Sequence, residues 1–305
     1  MTDNKLIIGQ GNAKLSLSIG TFSIPAGHTC PFAKECLSKA DRVTGKLIDG
    51  EHCRFRCFSA SQENYLPLVR KARWHNFDIL KKASTIERMG QVIQESIPFG
   101  IAFMRVHVSG DFFSEKYFLA WLNVAMNNPL VTFYGYTKAL PFIVKYRKLM
   151  PKNFRFVASR GGTCDSLIGK YHLRSAEVVF SPEEAAVKNL EIDHEDNLAI
   201  LSKKSFALLL HGTQPEGSKA GKAVYALRTR GIGGYGDSKI SRNRTAVRPA
   251  LQVFVTLKDR EIYLPQVADT LPATLPQFLL VENGEFYPSW GMGAKNFLTN
   301  SEKWV

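Results

Sequence analysis

Four of the five cysteines of this chain stand within 28 residues, at Cys30, Cys36, Cys53 and Cys57, with five, sixteen and three residues between successive members. A thiolate holds soft and borderline metals well, and four thiolates make either a tetrahedral Zn2+ site or the ligand set of an iron–sulfur (Fe–S) cluster. Zinc knuckles favour cysteine pairs two residues apart, and neither pair here has that spacing, which tilts the choice toward iron–sulfur and leaves zinc open. His28 and His52 are spare ligands. The odd cysteine count and the lack of a secretory pattern in MTDNKLIIGQGNAKLSLSIG argue against a disulfide framework. Cys164, in RGGTCD, reads as a small packed residue.

A second set of polar residues recurs at the ends of strand-like runs. In Phe103 to Asp111 every second residue shares a face if the run is a strand: Phe103, Arg105, His107, Ser109 and Asp111. Polar groups so placed are costly to bury unless they serve a site. Tyr136 and Lys138 close the next run, Arg160-Gly161-Gly162 follows the third, and His211 follows a later one. His107 is a candidate base or a hydrogen-bonded core histidine, Asp111 a general base or the N-terminal cap of the following helix, Tyr136 a substrate contact, and Arg160 with the backbone N–H groups after it a cradle for phosphate or carboxylate. The pattern predicts one cavity lined by His107, Asp111, Tyr136 and Arg160, with Lys138 and His211 on its rim. It also predicts that Asp111→Asn removes a base and leaves stability close to wild type. Asp193-His194-Glu195-Asp196 is an acidic run that reads as a solvated turn or a divalent-cation site.

The net charge is +13, from 40 Lys and Arg against 27 Asp and Glu, with a pI near 9.5. More than half of it lies in Gly217 to Arg248, where Lys219, Lys222, Arg228, Arg230, Lys239, Arg242, Arg244 and Arg248 face Asp237 alone. Six glycines in that stretch predict a flexible basic arm that binds a phosphate backbone through counterion release. A smaller basic group, Arg70-Lys71-Arg73-Trp74, follows the cysteines.

These residues must be held by something, and the intervening chain has a regular rhythm. Strand-like runs at 101–109, 131–138, 154–159, 176–180 and 205–210 alternate with helical ones at 114–126, 140–150, 165–171 and 181 onward. A longer helical stretch, 77–95, precedes them, and 221–230 is helix-like. Strand–helix alternation implies a parallel sheet, so the expected fold is α/β: a partial (β/α) barrel-like sheet with an irregular cysteine-rich N-terminal module and a C-terminal antiparallel β subdomain. The expected boundaries are 1–75 for the metal-binding module, 76–216 for the catalytic core, 217–249 for the basic arm and 250–305 for the antiparallel tail, where Asn283-Gly284 marks a hairpin. With 45% apolar and 22% charged residues the chain can build a core, which excludes disordered and fibrous classes. No apolar run approaches the roughly 18 residues of a membrane span. A cytoplasmic protein is expected.

The segments SIPAGHTCPFAKEC, CRFRCFSASQEN, RVHVSGDFF, FYGYTK, SRGGTCDS and HGTQPEGS together resemble the gene product 88 family of phage and plasmid proteins, from about Leu15 to His211 and its glycine-rich sequel. The family looks distantly like a radical S-adenosylmethionine barrel, but that superfamily's cysteine triplet, spaced by three and then two residues, is absent here. The resemblance implies a phage-type enzyme that modifies nucleic acid, foremost DNA, by transferring a methyl or similar group from S-adenosylmethionine to a modified base such as a 7-deazaguanine derivative. Ser109, Gly110, Gly161 and Gly162 would then contact the cofactor, and Lys219, Lys222, Arg228, Arg230, Arg242 and Arg244 the nucleic acid. The rival reading is a non-enzymatic, metal-stabilised DNA- or RNA-binding protein.

Overall fold

The computed structural model describes residues 5–11, 15 and 18–232, together with four strands beyond them. The chain divides into two compact units, Met1–Ser238 and Lys239–Val305. The division falls inside the basic stretch, and the cysteine-rich region shares the first unit with the strand–helix repeats.

The first unit opens with β1 (Gly9–Gln10) and β2 (Ile19–Ser23), followed by a small antiparallel hairpin, β3 (Ser38–Ala40) and β4 (Leu47–Asp49). Three helices follow: α1 (Phe58–Tyr65), α2 (Pro67–Ala83) and α3 (Ile86–Ser96). The single helical stretch expected over 77–95 is thus two helices. Ser84 takes a left-handed conformation at φ 51°, and Thr85 then caps α3 by accepting the Arg88 N–H at 3.2 Å. The repeats run β5 (Phe103–Ser109), α4 (Glu115–Asn127), β6 (Thr132–Thr137), α5 (Leu140–Tyr146), β7 (Phe154–Ser159), α6 (Ser166–Lys170), β8 (Ser175–Val179), α7 (Pro182–Val187), α8 (Asn197–Leu201), β9 (Phe206–Leu209) and α9 (Lys219–Thr229). Ser114 and Ser181 cap α4 and α7 as their sequences predict.

The sheet order is β1-β2-β5-β6-β7-β8-β9, with β1 antiparallel to β2 and the other neighbours parallel. From β2 onward the strands lie side by side in chain order, the arrangement of a (β/α) barrel that stays open. Phe22, Met104, Val106 and Phe133 pack with Met89, Ile93, Phe118 and Trp121 of α3 and α4 in the main core. Tyr134, Val157, Ala176 and Phe206 pack instead with Ala199 and Ile200 of α8. Arg155 and Arg174 hold α8 there by donating to the carbonyls of Leu198, Ala199, Ile200 and Ser202.

In the second unit β10 (Phe254–Leu257) pairs antiparallel with β11 (Arg260–Tyr263), and β12 (Leu279–Glu282) with β13 (Glu285–Pro288). The antiparallel tail is therefore present. Asn283-Gly284, the expected turn, lies outside the described residues, as do Lys239, Arg242, Arg244 and Arg248.

Candidate functional site

The centre of the site is a buried polar knot where β5, β6 and β7 end. Asp111 accepts from Thr137 Oγ1 at 2.6 Å and from its neighbour Phe112 N at 2.8 Å through Oδ1, and from Lys138 N at 2.8 Å through Oδ2. Lys138 Nζ donates to Ser159 Oγ at 2.6 Å, so one carboxylate and one ammonium tie three strand ends together. Burial raises the proton affinity of Asp111 beyond what its three donors take back. Burial works against the charge on Lys138, but Cys36, Asp111, Cys30 and Cys57 outweigh it, and the ammonium is held more firmly than in a free lysine.

Three of the four clustered cysteines thus bear on one buried cation. The loop carrying Cys30 and Cys36 leaves β2 and folds back over the strand ends. Ile24 N donates to Ser109 O at 3.0 Å, and Lys34 and Glu35 donate to the Gly161 carbonyl at 3.2 and 2.9 Å. Gly110 permits this approach, since it sits at φ 86° and a Cβ there would lie 2.4 Å from Ile24 and 2.6 Å from Thr29, the neighbour of Cys30. Cys57 arrives separately, as the residue before α1, and its N–H donates to Ser38 Oγ at 3.2 Å.

Three of the thiols, Cys30, Cys53 and Cys57, are raised. Cys30 lies well above the ordinary thiol range through burial first, then the charges of Asp111, Cys57 and Cys36. Cys57 is pushed up to about 11 by burial and by Cys36, against the pull of the Ala60 and Ser59 N–H groups. Cys53 is raised mainly by burial, and its sulfur is otherwise engaged, 3.5 Å from Ser38 Oγ and donating to Phe55 O at 3.1 Å. Thiols are the donor chemistry of a thiophilic cation, which displaces their protons on binding. Cys30, Cys36 and Cys57 fit such a group in donor type. Among the described residues no three His, Cys, Asp or Glu side chains are already gathered in metal-holding geometry.

The other strand-end residues occupy different places. His107 does not share a face with Arg105. Its φ of 66° breaks the alternation, the β2–β5 register slips at the same point, and the ring turns into the helix-side core against Phe22 and Phe112, bonding Tyr117 OH at 2.9 Å. Burial lowers His107 to about 3, so the ring is neutral. Tyr136 lies on the α8 side, where it and Tyr134 donate to Asp196 at 3.2 and 3.0 Å, and Arg105 pairs with the same carboxylate at 2.6 Å. Asp196 of the acidic run thus faces inward, and Asp193 accepts the N–H groups of Glu195 and Ala199.

Arg160 is exposed and donates to Ser175 Oγ at 3.2 Å. The N–H groups of Gly161 and Gly162 are taken by Asp165 at 2.8 and 2.9 Å, so the expected anion cradle already holds a carboxylate of this chain. His211 Nδ1 contacts Leu209 O at 3.0 Å, and its ring packs on Phe58, next to Cys57. The single cavity expected from alternation is therefore divided. Asp111, Lys138 and the thiols form one group; Tyr136 and His107 belong to two others. Lys219, Lys222 and Arg228 stand exposed on α9, and Arg230 just beyond it pairs with Glu183 at 2.6 Å.

Residues that the pattern did not single out complete the site. Glu63 of α1 is fully buried, accepting from Ala26 N at 2.9 Å, Arg73 at 2.8 Å and Ser109 Oγ at 3.4 Å. Its partner Arg73 belongs to the basic group Arg70-Lys71-Arg73-Trp74 that follows the cysteines. The charged patterning RKARW carried the signal, since Arg70 and Arg73 recur at helical spacing and both are buried.

Residues 1–228 match the family model described as Gene product 88. The chain belongs to the gene product 88 family. The matched region contains the whole strand-end knot, all four clustered cysteines and nearly all of α9. The Gene 88 protein of Mycobacterium phage L5 is 25% identical to this chain over 138 residues, which are 42% of this chain and 51% of that protein. The chain thus spans about half the length of that relative. No solved structure matches. Among the described residues no helix is long and apolar enough to cross a membrane.

Proposed function

We propose that this protein is a nucleic-acid-modifying enzyme whose reaction runs at the carboxyl ends of β5, β6 and β7, beside a metal centre held by Cys30, Cys36 and Cys57. The observation that carries this reading is that Asp111 and Lys138 are buried together at the strand ends, Asp111 accepting the Lys138 backbone N–H, while the loop carrying Cys30 and Cys36 is bonded across the same ends. Parallel α/β sheets carry their sites there, and strongly perturbed ionisable groups mark functional positions. We assign the group as an iron–sulfur cluster, because three thiols act together while Cys53 is engaged by Ser38 and the Phe55 carbonyl. Three protein ligands would leave the bound centre a position open to a small molecule.

The donor to test first is S-adenosylmethionine, and the acceptor an amine on a modified DNA base such as a 7-deazaguanine derivative. In that transfer the methyl group leaves a sulfonium sulfur for the amine nitrogen, and the nitrogen gives up a proton. Asp111, with its raised proton affinity, is suited to take the proton, and the Lys138 ammonium to hold a carboxylate or phosphate. A base within a duplex must first be flipped out of the stack. The net charge of +13 suits a polyanionic substrate.

The rival reading, a metal-stabilised nucleic-acid-binding protein, has one observation behind it. Ser38 Oγ stands beside both Cys53 Sγ and the Cys57 N–H, so Cys53 would join a closed four-thiolate zinc site by leaving Ser38 and the Phe55 carbonyl. Anaerobically purified protein, S-adenosylmethionine and an oligonucleotide carrying an aminomethyl-deazaguanine separate the two. We expect a one-methyl mass gain that Cys57→Ser abolishes while oligonucleotide binding persists. Binding without any mass gain in the wild type would favour the rival.

A further inference from the structure

The face of α9 turned away from the core carries a row that the folding of the helix does not require. Ala220, Val224 and Leu227 are buried, whereas Lys219, Lys222, Tyr225 and Arg228, spaced by three, are all exposed. Residues at that spacing form one ridge along a helix. Tyr225 is 71% exposed, an aromatic ring set between two lysines and an arginine. Lys222, Tyr225 and Arg228 form one wall of an open cleft of about 400 Å³, and Thr213, Gln214 and Gly217 line it from the preceding loop. Glu216 is the acidic residue among those lining it.

That loop leads to the candidate metal site. Gln214 brackets the Arg56 backbone, its Oε1 accepting the Arg56 N–H at 2.7 Å and its Nε2 donating to the carbonyl at 3.0 Å. Ser61 Oγ donates to Thr213 O at 3.0 Å, and Gly212 packs so closely on Phe58 that a Cβ would lie 3.2 Å from the Phe58 Cβ. The cleft floor is therefore fastened to the residues on both sides of Cys57.

We propose that this ridge and cleft bind single-stranded nucleic acid, with Lys219, Lys222 and Arg228 on successive phosphates and an unstacked base on Tyr225, delivering the strand toward Cys57. This deepens the nucleic-acid reading above and rests on it. The choice of a single strand follows from the ring. A base free of its neighbours offers a π-face to an exposed aromatic side chain, whereas duplex bases are already stacked. An acidic protein segment would satisfy the cations and leave the ring without a partner.

The test is fluorescence anisotropy of the full chain with labelled oligothymidylate, a duplex of equal length, and polyglutamate as competitor, over a salt series. We expect oligothymidylate to bind more tightly than the duplex. Tyr225→Ala should weaken oligothymidylate binding roughly ten-fold, within the range found for loss of one base–aromatic stack, and Tyr225→Phe should retain it. Lys222→Ala with Arg228→Ala should flatten the slope of log affinity against log salt by about 1.4, at about 0.7 for each phosphate contact on a single strand. All these positions are exposed, so unchanged melting temperatures confirm that the fold is kept. Equal or tighter duplex binding, no effect of Tyr225→Ala, or displacement by polyglutamate as effective as by unlabelled oligonucleotide would each overturn the proposal. Cys57→Ser keeps the two readings apart. Lost metal and turnover with oligonucleotide binding intact bears on the catalytic reading alone, and ridge variants that change neither binding nor turnover refute only the ridge.

Discussion

His107 shows how one residue redirects a strand. Strand alternation would put it beside Arg105, yet a φ of 66° turns it to the opposite layer, among Phe22, Phe112 and Tyr117. A left-handed conformation at a residue other than glycine costs energy and persists where its surroundings over-determine it. Here the bond to Tyr117 OH and the aromatic packing do so, and the slip they fix precedes the Ser109-Gly110-Asp111 turn. Burial holds the ring at about 3 in the folded chain, against about 6.5 for a free histidine. Between those values the unfolded chain binds a proton that the folded one does not, so this residue's share of stability is intact above pH 6.5 and is lost as pH falls toward 3. We expect chemical denaturation to show wild-type stability falling by up to about 1.4 kcal/mol per pH unit in that window through this residue. His107→Asn, which tolerates the left-handed backbone, should lack that part of the slope. Equal slopes in both proteins would mean that His107 is solvated.

At the scale of elements, Asp111 is a clasp between the ends of β5 and β6. The residue pattern marks it as a base that asparagine could replace without loss of stability, and its bonds say otherwise. Oδ1 accepts two donors and Oδ2 a third, so an amide would turn its own N–H groups toward either Lys138 N or the Thr137 and Phe112 donors. It would also remove a negative charge that favours the buried Lys138 ammonium. We expect Asp111→Asn to cost about 2–3 kcal/mol in equilibrium unfolding, and a melting temperature close to wild type would contradict the clasp. Much of this layer was legible in sequence. The parallel strands β5 to β9 stand within two residues of the apolar runs that foretold them, whereas no run so close foretold β2, and Ser114 and Ser181 cap α4 and α7. Three pieces were not. α1 and the β3–β4 hairpin are short and polar, and their residues are fixed by contacts distant in sequence, such as Glu63 with Ala26 and Ser109. α8 has five residues, and the arginines that hold it come from β7 and the start of β8. The glycines of Arg160-Gly161-Gly162 suggested an anion site, and the anion is Asp165, four residues on. Nothing in local spacing distinguishes an internal carboxylate from a ligand's.

For the whole molecule, the first unit covers the carboxyl ends of its central strands with its own N-terminal residues. The region that looked like a separate cysteine module is a loop from β2 whose backbone bonds reach β5 and the turn after β7, so it is fastened to strands distant in sequence that lie parallel and adjacent. Family membership spans the same stretch, residues 1–228. A metal held by Cys30, Cys36 and Cys57, as proposed above, would make the thiols, Lys138 and Asp111 one site. The direct measurement is the iron, sulfide and zinc content, with the optical spectrum, of anaerobically purified full-length protein and of its five single Cys→Ser variants. We expect iron and sulfide with visible charge-transfer absorption in the wild type, retained in Cys53→Ser and Cys164→Ser and lost in Cys30→Ser, Cys36→Ser and Cys57→Ser. Metal content unchanged by any one of those three substitutions would contradict the shared centre.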